Sequence, residues 1–201
     1  MKRTRSTPPR QTRCDGCGQL TPAYNVVNYG SADQGYKQLC GQCFNAEAAR
    51  LDDLIDFQDA KFEPILLVDC TGKAHNFYFR TRLFGPGIAL DAFELRHGYP
   101  AGYRFQIIGD PKDDLLALFA RLLERMRRAL SIKHIKRGSL GLQIADRVVQ
   151  GFIEWDDAAE GRVPLIVVDG RAITWEEFGR MLMTFEGWQF KLEIRDKSEE
   201  F

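Results

Sequence analysis

The amino-acid sequence predicts an α+β protein. A small N-terminal cysteine-rich module is expected to precede a larger, mostly antiparallel sheet domain with one long and one short helix. Three observations lead to this prediction: two CxxC pairs near the start, a run of strand-like segments without helices between them, and two later segments with helical periodicity. A chain of 201 residues with 44% hydrophobic and 28% charged residues is typical of a protein with a packed core.

Four of the five cysteines form two pairs with the spacing of metal ligands: Cys14, Cys17, Cys40 and Cys43. In each CxxC pair a tight turn can aim both sulfurs at one ion. The residues between the pairs fit a hairpin, since 24–29 alternate like a strand, 30–35 supply turn residues and 36–39 lead back. Four thiolates suit zinc best, with iron in a rubredoxin-like site as the alternative. A closed set of four thiolates leaves no coordination position for a substrate, so the metal is expected to be structural.

The second CxxC pair is predicted to open a helix, because apolar residues recur with helical spacing after Cys43. The helix dipole would then favour the negative charge of the thiolates. Each CxxC turn is a zinc knuckle. The order of a knuckle, a hairpin, a second knuckle and a helix resembles that of a treble-clef zinc finger, which we assign to residues 14–58. Residues 1–13 are predicted to be a basic, disordered tail. The fifth cysteine, Cys70, lies in a strand pattern and is interpreted as a small apolar core residue.

The α+β domain is predicted over residues 61–196. Four strand-like segments without intervening helices indicate an antiparallel meander: residues 65–70, 75–83, 88–95 and 103–108. A long helix follows over 111–137, with Asp110 as its N-cap, Pro111 at its first position and Gly138 as its stop.

A second β unit is predicted after the long helix. It contains a strand over 148–155 and a hairpin whose Asp169-Gly170 pair suits a type I′ turn. A short helix near 175–186 begins with the capping box TWEE. Residues 188–195 alternate between apolar and polar side chains and are predicted to be a final strand. Residues 197–201 are predicted to be a polar tail.

The C-terminal run DGRAITWEEFGRMLMTFEGWQFKLEIRD resembles a segment of an uncharacterised bacterial family. In that family the segment follows a sheet-and-helix core, often after an N-terminal CxxC…CxxC module. The resemblance extends over most of residues 14–196 and is strongest at 169–196. It implies an intracellular protein of a bacterium or bacteriophage and assigns no catalytic residue.

The charge balance limits the classes of partner. Lysine plus arginine and aspartate plus glutamate number 28 each, which argues against a broad nucleic-acid surface because such surfaces are basic. Two basic regions remain local candidates for nucleic-acid contact, the tail 1–13 and the helix 111–137. Charge blocks of alternating sign also suit a homo-oligomer. The longest wholly apolar run, residues 115–120, is far shorter than the ~20 residues of a membrane span, and no signal peptide is recognised. The sequence therefore predicts a cytoplasmic protein that does not enter the membrane.

Catalytic motifs are absent from the sequence: there is no Walker A loop, GxSxG, HExxH, or GxGxxG after a strand. The three histidines stand apart and are interpreted as ordinary surface or turn residues. The first functional hypothesis is a non-enzymatic, zinc-stabilised interaction protein that binds a protein or a nucleic acid. The second is an enzyme of unrecognised type with an acidic site near Glu154, Asp156 and Asp157, a residue class that divalent cations favour. A purely structural subunit of a larger assembly is the third.

Overall fold

The computed structural model describes residues 11–33, 35–54, 57, 59–85, 87–139 and 141–199. Within these residues the chain is an α+β structure with three α-helices and antiparallel sheets, so the predicted fold class is confirmed. No helix in these ranges is long and apolar enough to cross a bilayer.

The N-terminal part consists of two hairpins followed by a helix. The first hairpin pairs β1 (Gln11–Arg13) with β2 (Leu20–Pro22), and the second pairs β3 (Val26–Ser31) with β4 (Gly35–Cys40). Helix α1 (Gly41–Leu51) follows β4 directly. Residues 11–13, the end of the predicted basic tail, thus belong to a paired strand. Residues 1–10 lie outside the described residues.

The central sheet is a four-stranded antiparallel meander, as predicted. Its strands lie in chain order: β5 (Ile65–Val68), β6 (Ala74–Phe84), β7 (Gly87–Arg96) and β8 (Tyr99–Gly109). Helix α2 (Leu115–Leu130) packs on this sheet through buried side chains spaced one turn apart: Leu118, Leu122, Met126 and Leu130. They share the largest core with apolar residues of the sheet, among them Phe77 and Leu90.

Helix α2 is shorter than the predicted helix 111–137. It begins at Leu115, because the side chain of Asp114, rather than that of Asp110, accepts the first helical N–H. Asp110 instead closes a separate turn by accepting from Lys112 N at 2.8 Å. Residues 135–137, predicted to be helical, and Gly138, predicted to stop the helix, form β9 (Ile135–Gly138), which pairs with β10 (Gly141–Ile144).

The C-terminal part has its own core, formed by Ile144, Ile166, Val168, Ile173 and Met181. Its three-stranded sheet has the order β11 (Gly151–Trp155), β12 (Pro164–Val168) and β13 (Arg171–Thr174), and α3 (Trp175–Leu182) follows.

Two local predictions for this part are confirmed. Asp169 and Gly170 both have positive φ, 51° and 70°, as a type I′ turn requires. Thr174 caps α3 by accepting a hydrogen bond from Glu177 N at 3.1 Å. The two larger cores are formed mainly by residues of the stretch 61–196, and Ala49 of α1 joins the first of them.

The predicted final strand is wrong. Residues 188–195 belong to no helix or strand, and their four apolar side chains are exposed. The alternation of apolar and polar side chains suits a strand, but a strand also needs a neighbouring strand to pair with. The described residues of this chain provide no such neighbour.

Candidate metal centre

The four cysteines of the two CxxC pairs lie together: Cys14, Cys17, Cys40 and Cys43. Their sulfur atoms are all within 4.8 Å of one another. In the described part of the chain this is the one group of three or more Cys, His, Asp or Glu residues that is placed to hold a metal ion. A tetrahedron with Zn–S bonds of about 2.3 Å has sulfur–sulfur edges of about 3.8 Å, and Cys17 Sγ lies 3.9 Å from Cys40 Sγ. The donor set and its spacing therefore fit a tetrahedral ion.

The first knuckle is a tight turn between β1 and β2. It is closed by hydrogen bonds from Gly18 N to Cys14 O and from Cys14 N to Gln19 O, both 2.9 Å. Gly18 has φ +73°, which glycine adopts without strain. A Cβ at Gly16 would lie 3.0 Å from Cys43 Sγ, so the turn can approach the second knuckle only because Gly16 has no side chain.

The second knuckle joins β4 to α1. Cys40 is the N-cap of the helix, and its sulfur accepts a hydrogen bond from Cys43 N at 3.4 Å. The expected position of this pair at a helix N-terminus is confirmed, and the helix dipole there favours thiolate charge. The structure thus has the knuckle, hairpin, knuckle and helix order of a zinc-finger-like site.

Backbone N–H groups also point at the sulfur of Cys14. Cys40 N donates to it at 3.1 Å and Gly16 N at 3.4 Å. Although burial raises the pKa of the Cys14 thiol, these donors together with Cys17 N outweigh burial and lower the pKa to about 6. Burial raises the pKa of Cys40 and of Cys43. One thiolate therefore forms readily, and a cation is needed to stabilise the others close to it.

The finger is packed on the central sheet through the buried side chain of Asn45. This residue of α1 is 0% exposed. Its Nδ2 donates to Thr81 O and its Oδ1 accepts from Leu83 N, both at 3.0 Å. Strand β5 pairs with this edge of β6 only as far as Phe77. Beyond Phe77, the carboxamide of Asn45 forms hydrogen bonds with the β6 backbone in the way that a neighbouring strand would.

A second contact joins the finger to the sheet. Arg80 of β6 donates to Tyr24 O at 3.1 Å, while its guanidinium also pairs with Asp91 at 2.7 Å. The ring of Tyr24 packs edge-on against Phe93. Backbone and side-chain contacts therefore both hold the finger against the sheet.

The acidic residues of the enzyme hypothesis have other partners. Glu154 pairs with Arg104 of β8. Asp156 caps a short 3₁₀-helix (Asp157–Ala159) by accepting from Ala158 N at 3.0 Å. Asp157 is exposed. Glu154, Asp156 and Asp157 do not converge as metal ligands in the described structure.

Two of the basic residues in the stretch 111–137 are engaged within the protein. Arg125 donates to Gln106 O at 2.7 Å and to backbone carbonyls near the C-terminus. Lys133 forms a 2.7 Å ion pair with buried Asp69. Arg121 and Arg127 are exposed on α2. Some basic side chains of the stretch 111–137 thus form contacts within the protein, and others lie on its surface.

A buried polar cluster was missed by the sequence reasoning. His75, interpreted as a surface or turn residue, is 1% exposed and lies between two carboxylates. Its Nε2 is 3.0 Å from Asp69 Oδ2 and its Nδ1 is 2.9 Å from Glu94 Oε1. Asp69 is contributed by the β5–β6 turn and Lys133 by the segment after α2. No sequence signal joins residues so far apart in the chain.

The environment of Asp69 favours its charged form. Burial raises the pKa of this carboxyl, but hydrogen bonds from Lys133, Thr71 and His75 outweigh burial and hold it well below its ordinary value. The neighbouring Cys70, predicted to be a core residue, is exposed because it lies in the turn after β5 instead of in the strand.

Comparisons with known proteins divide the chain into three consecutive parts. Residues 13–54 match a domain of unknown function (DUF7685), residues 58–131 match a second (DUF7686), and residues 134–199 match a third (DUF7713). The boundaries follow the structure, since the parts correspond to the finger, the meander with α2, and the C-terminal core. The chain matches no curated protein and no solved structure. The comparisons therefore divide the chain into three domains of unknown function, and the first of them contains the four cysteines that are placed to hold a metal ion.

Proposed function

We propose that the protein is a non-enzymatic interaction protein whose N-terminal finger is stabilised by one structural zinc ion. The observation that carries this proposal is the convergence of four thiols within 4.8 Å. Zinc is proposed over iron because a closed set of four thiolates at a knuckle and a helix start is a common structural zinc site.

A structural role is supported by how little apolar core the finger has. Its own buried cluster consists of Leu39 together with the two metal-site residues Cys14 and Cys40. A module this small needs a cross-link to stay folded. The ion would join the β1–β2 turn to the β4–α1 junction, two parts of the finger that are distant in sequence.

A protein partner is supported by the distribution of exposed apolar side chains. They are frequent in the C-terminal part, where Trp155, Trp175 and Met183 are all exposed. Exposed aromatic residues and methionine are typical of protein interfaces. Nucleic-acid binding has less support, because Arg125 and Lys133 are already engaged within the protein. We also propose a cytoplasmic location, where reducing conditions keep the cysteines as thiols.

The metal content of the purified full-length chain tests the metal part of the proposal. We expect one zinc per chain, lost in Cys17→Ser and in Cys43→Ser. Cys70→Ser is the matched control, because Cys70 is exposed and outside the cluster, and it is expected to retain the zinc. A protein that keeps its zinc in both cluster variants, or that contains iron instead, would contradict the proposal.

Hydrogen exchange after chelation tests whether the ion is structural. Removal of zinc is expected to accelerate amide exchange in residues 11–51, while the buried strands β7 and β8 stay protected. Unchanged exchange in the finger would contradict a structural role.

Binding assays test the class of partner. With the zinc-loaded protein and a fluorescent mixed-sequence DNA or RNA, we expect no binding stronger than non-specific binding, whose Kd is about 10⁻⁴–10⁻⁶ M at physiological salt. Affinity purification of the tagged chain is expected to recover a specific protein with the zinc-loaded wild type and with Cys70→Ser. Tight, salt-dependent nucleic-acid binding without a protein partner would overturn the proposed partner class.

A further inference from the structure

The C-terminal segment 188–195 has the residue pattern of a strand, and no strand among the described residues pairs with it. Its apolar residues occupy alternate positions, and they are widely exposed: Trp188 59%, Phe190 91%, Leu192 73% and Ile194 68%. The positions between them hold Gln189, Lys191, Glu193 and Arg195. In an extended chain these two sets lie on opposite faces.

Both ends of the segment are anchored to the rest of the protein. At the start, Trp188 N donates to Phe185 O at 2.9 Å, and the guanidinium of Arg147 lies 5.3 Å from the Trp188 ring centre. At the far end, Arg125 of α2 donates to the carbonyls of Lys197, Ser198 and Glu199. The residues in between are thus presented at the surface, and ordering them on binding costs less than it would for a loose tail.

The backbone between the anchors is available for pairing. Among the described residues, no backbone–backbone hydrogen bond involves residues 189–194. Exposed N–H and C=O groups beside alternating apolar side chains form a template for another strand.

The charges of the segment indicate which strand fits. If two copies pair antiparallel with Leu192 opposite Leu192, then Lys191 of each copy faces Glu193 of the other. The same register places Phe190 opposite Ile194 and keeps the apolar residues of both copies on one face. Opposite charges directly across a strand pair stabilise it.

Neighbouring registers of the same pairing are unfavourable. A two-fold axis at Lys191 places two lysines opposite each other, and an axis at Glu193 places two glutamates opposite each other and Lys191 opposite Arg195. Like charges directly across a strand pair are destabilising. The even-numbered positions of the segment are apolar and the odd-numbered ones are polar or charged. A register that places an even-numbered residue of one copy opposite an odd-numbered residue of the other would therefore bring apolar and charged side chains onto the same face.

We propose that residues 189–195 form a two-stranded antiparallel sheet with the same residues of a second copy of this chain, around a two-fold axis at Leu192. Within one chain, Glu193 pairs with Lys191 at 3.3 Å and with Arg195. In the dimer, Glu193 loses its contact with Lys191 of the same chain and pairs with Lys191 of the second copy instead. The inference depends on the C-terminal segment alone and does not depend on the metal centre.

The dimer is expected to be weak and reversible. A two-stranded ribbon alone is marginally stable, and its interface falls below the ~1,200 Å² of stable complexes. Self-association is therefore expected within a concentration range of about 1–300 µM. Sedimentation velocity of the zinc-loaded full-length protein measures it.

Charge reversal provides the first test. Lys191→Glu and Glu193→Lys each place like charges opposite each other twice, so each is expected to weaken dimerisation by at least about tenfold. The double variant Lys191→Glu/Glu193→Lys, and an equimolar mixture of the two single variants, are both expected to restore it. The matched controls Lys61→Glu and Glu160→Lys change the same charges at exposed sites elsewhere and are expected to dimerise like the wild type.

A cysteine scan provides the second test, with Cys70→Ser as the zinc-loaded background. A cysteine at the axis faces its own copy, so Leu192→Cys is expected to form a disulfide-linked dimer on mild oxidation. Lys191→Cys, which faces Glu193, is not expected to do so alone, but it is expected to cross-link with Glu193→Cys.

Three results would overturn the proposal. The first is a wild-type protein that stays monomeric over the whole concentration range. The second is a dimer that the charge reversals leave unchanged, which would indicate pairing elsewhere, such as at the free edge of β11. The third is a different protein bound at the segment while the chain itself remains monomeric.

Discussion

Replacing Asn45 with alanine removes the side chain that joins α1 to the uncovered edge of β6. The Leu83 N–H and the Thr81 carbonyl each lose the partner that lies 3.0 Å away. Both residues are buried, so water does not readily replace the carboxamide. An unsatisfied buried backbone group costs about 1–3 kcal/mol. Since two such groups are left unpaired, we expect Asn45→Ala to lower the free energy of unfolding by about 2–6 kcal/mol.

Urea unfolding of the zinc-loaded protein measures this loss. With a denaturant dependence of about 2 kcal/mol per molar urea, the midpoint is expected to fall by about 1–3 M. Gln42→Ala is the matched control, because it shortens an exposed polar side chain on the same helix and is expected to change stability by less than about 0.5 kcal/mol. Zinc content is expected to stay the same in both variants, because neither side chain is a proposed ligand.

Hydrogen exchange locates the effect. In Asn45→Ala the Leu83 amide is expected to exchange faster than in the wild type, while amides in the β7–β8 ladder change less. If Asn45→Ala and Gln42→Ala have the same small effect on the urea midpoint, the carboxamide does not hold the finger on the sheet, and the reasoning is refuted.

Three further variants test other parts of the structure. Gly16→Ala is expected to weaken zinc binding by about tenfold in competition with a chromophoric chelator, because the added methyl group would lie 3.0 Å from Cys43 Sγ; unchanged affinity would contradict this. Asp69→Asn tests the buried ion pair with Lys133: since the pKa of Asp69 is lowered on folding, its charge stabilises the protein above pH ~4 and that contribution is lost as the pH falls below this value. The difference in urea midpoint between wild type and Asp69→Asn is therefore expected to shrink from pH 6 to pH 3, and a constant difference would refute the assignment. Gly170→Ala is expected to lower the melting temperature, because the turn requires positive φ (+70°) and the new methyl group would lie 2.8 Å from a side chain of β8; an unchanged melting temperature would contradict it.

The features that could be predicted from the sequence depend on residues close together in the chain. The CxxC turns place their own sulfurs, and Cys40 caps the helix that carries Cys43. The Asp169-Gly170 turn and the Thr174 cap are likewise set by adjacent residues. Local chemistry of this kind is visible in a single sequence.

The features that were missed depend on tertiary contacts. His75 is buried between Asp69 of the β5–β6 turn and Glu94 of β7, and Lys133 from the segment after α2 pairs with the same Asp69. Residues 188–195 have no strand partner in the described part of the chain despite their alternation. The predicted helix 111–137 loses its last residues to the β9–β10 hairpin. Pairing between segments depends on the whole fold and overrides local propensity.

X-ray absorption at the zinc edge of the purified full-length protein measures the ligands of the metal ion and their distances. The proposed metal centre predicts one zinc per chain surrounded by four sulfur atoms at about 2.3 Å, and the same spectrum for Cys70→Ser. A first shell that contains nitrogen or oxygen ligands, or a protein that folds fully without any metal, would contradict it.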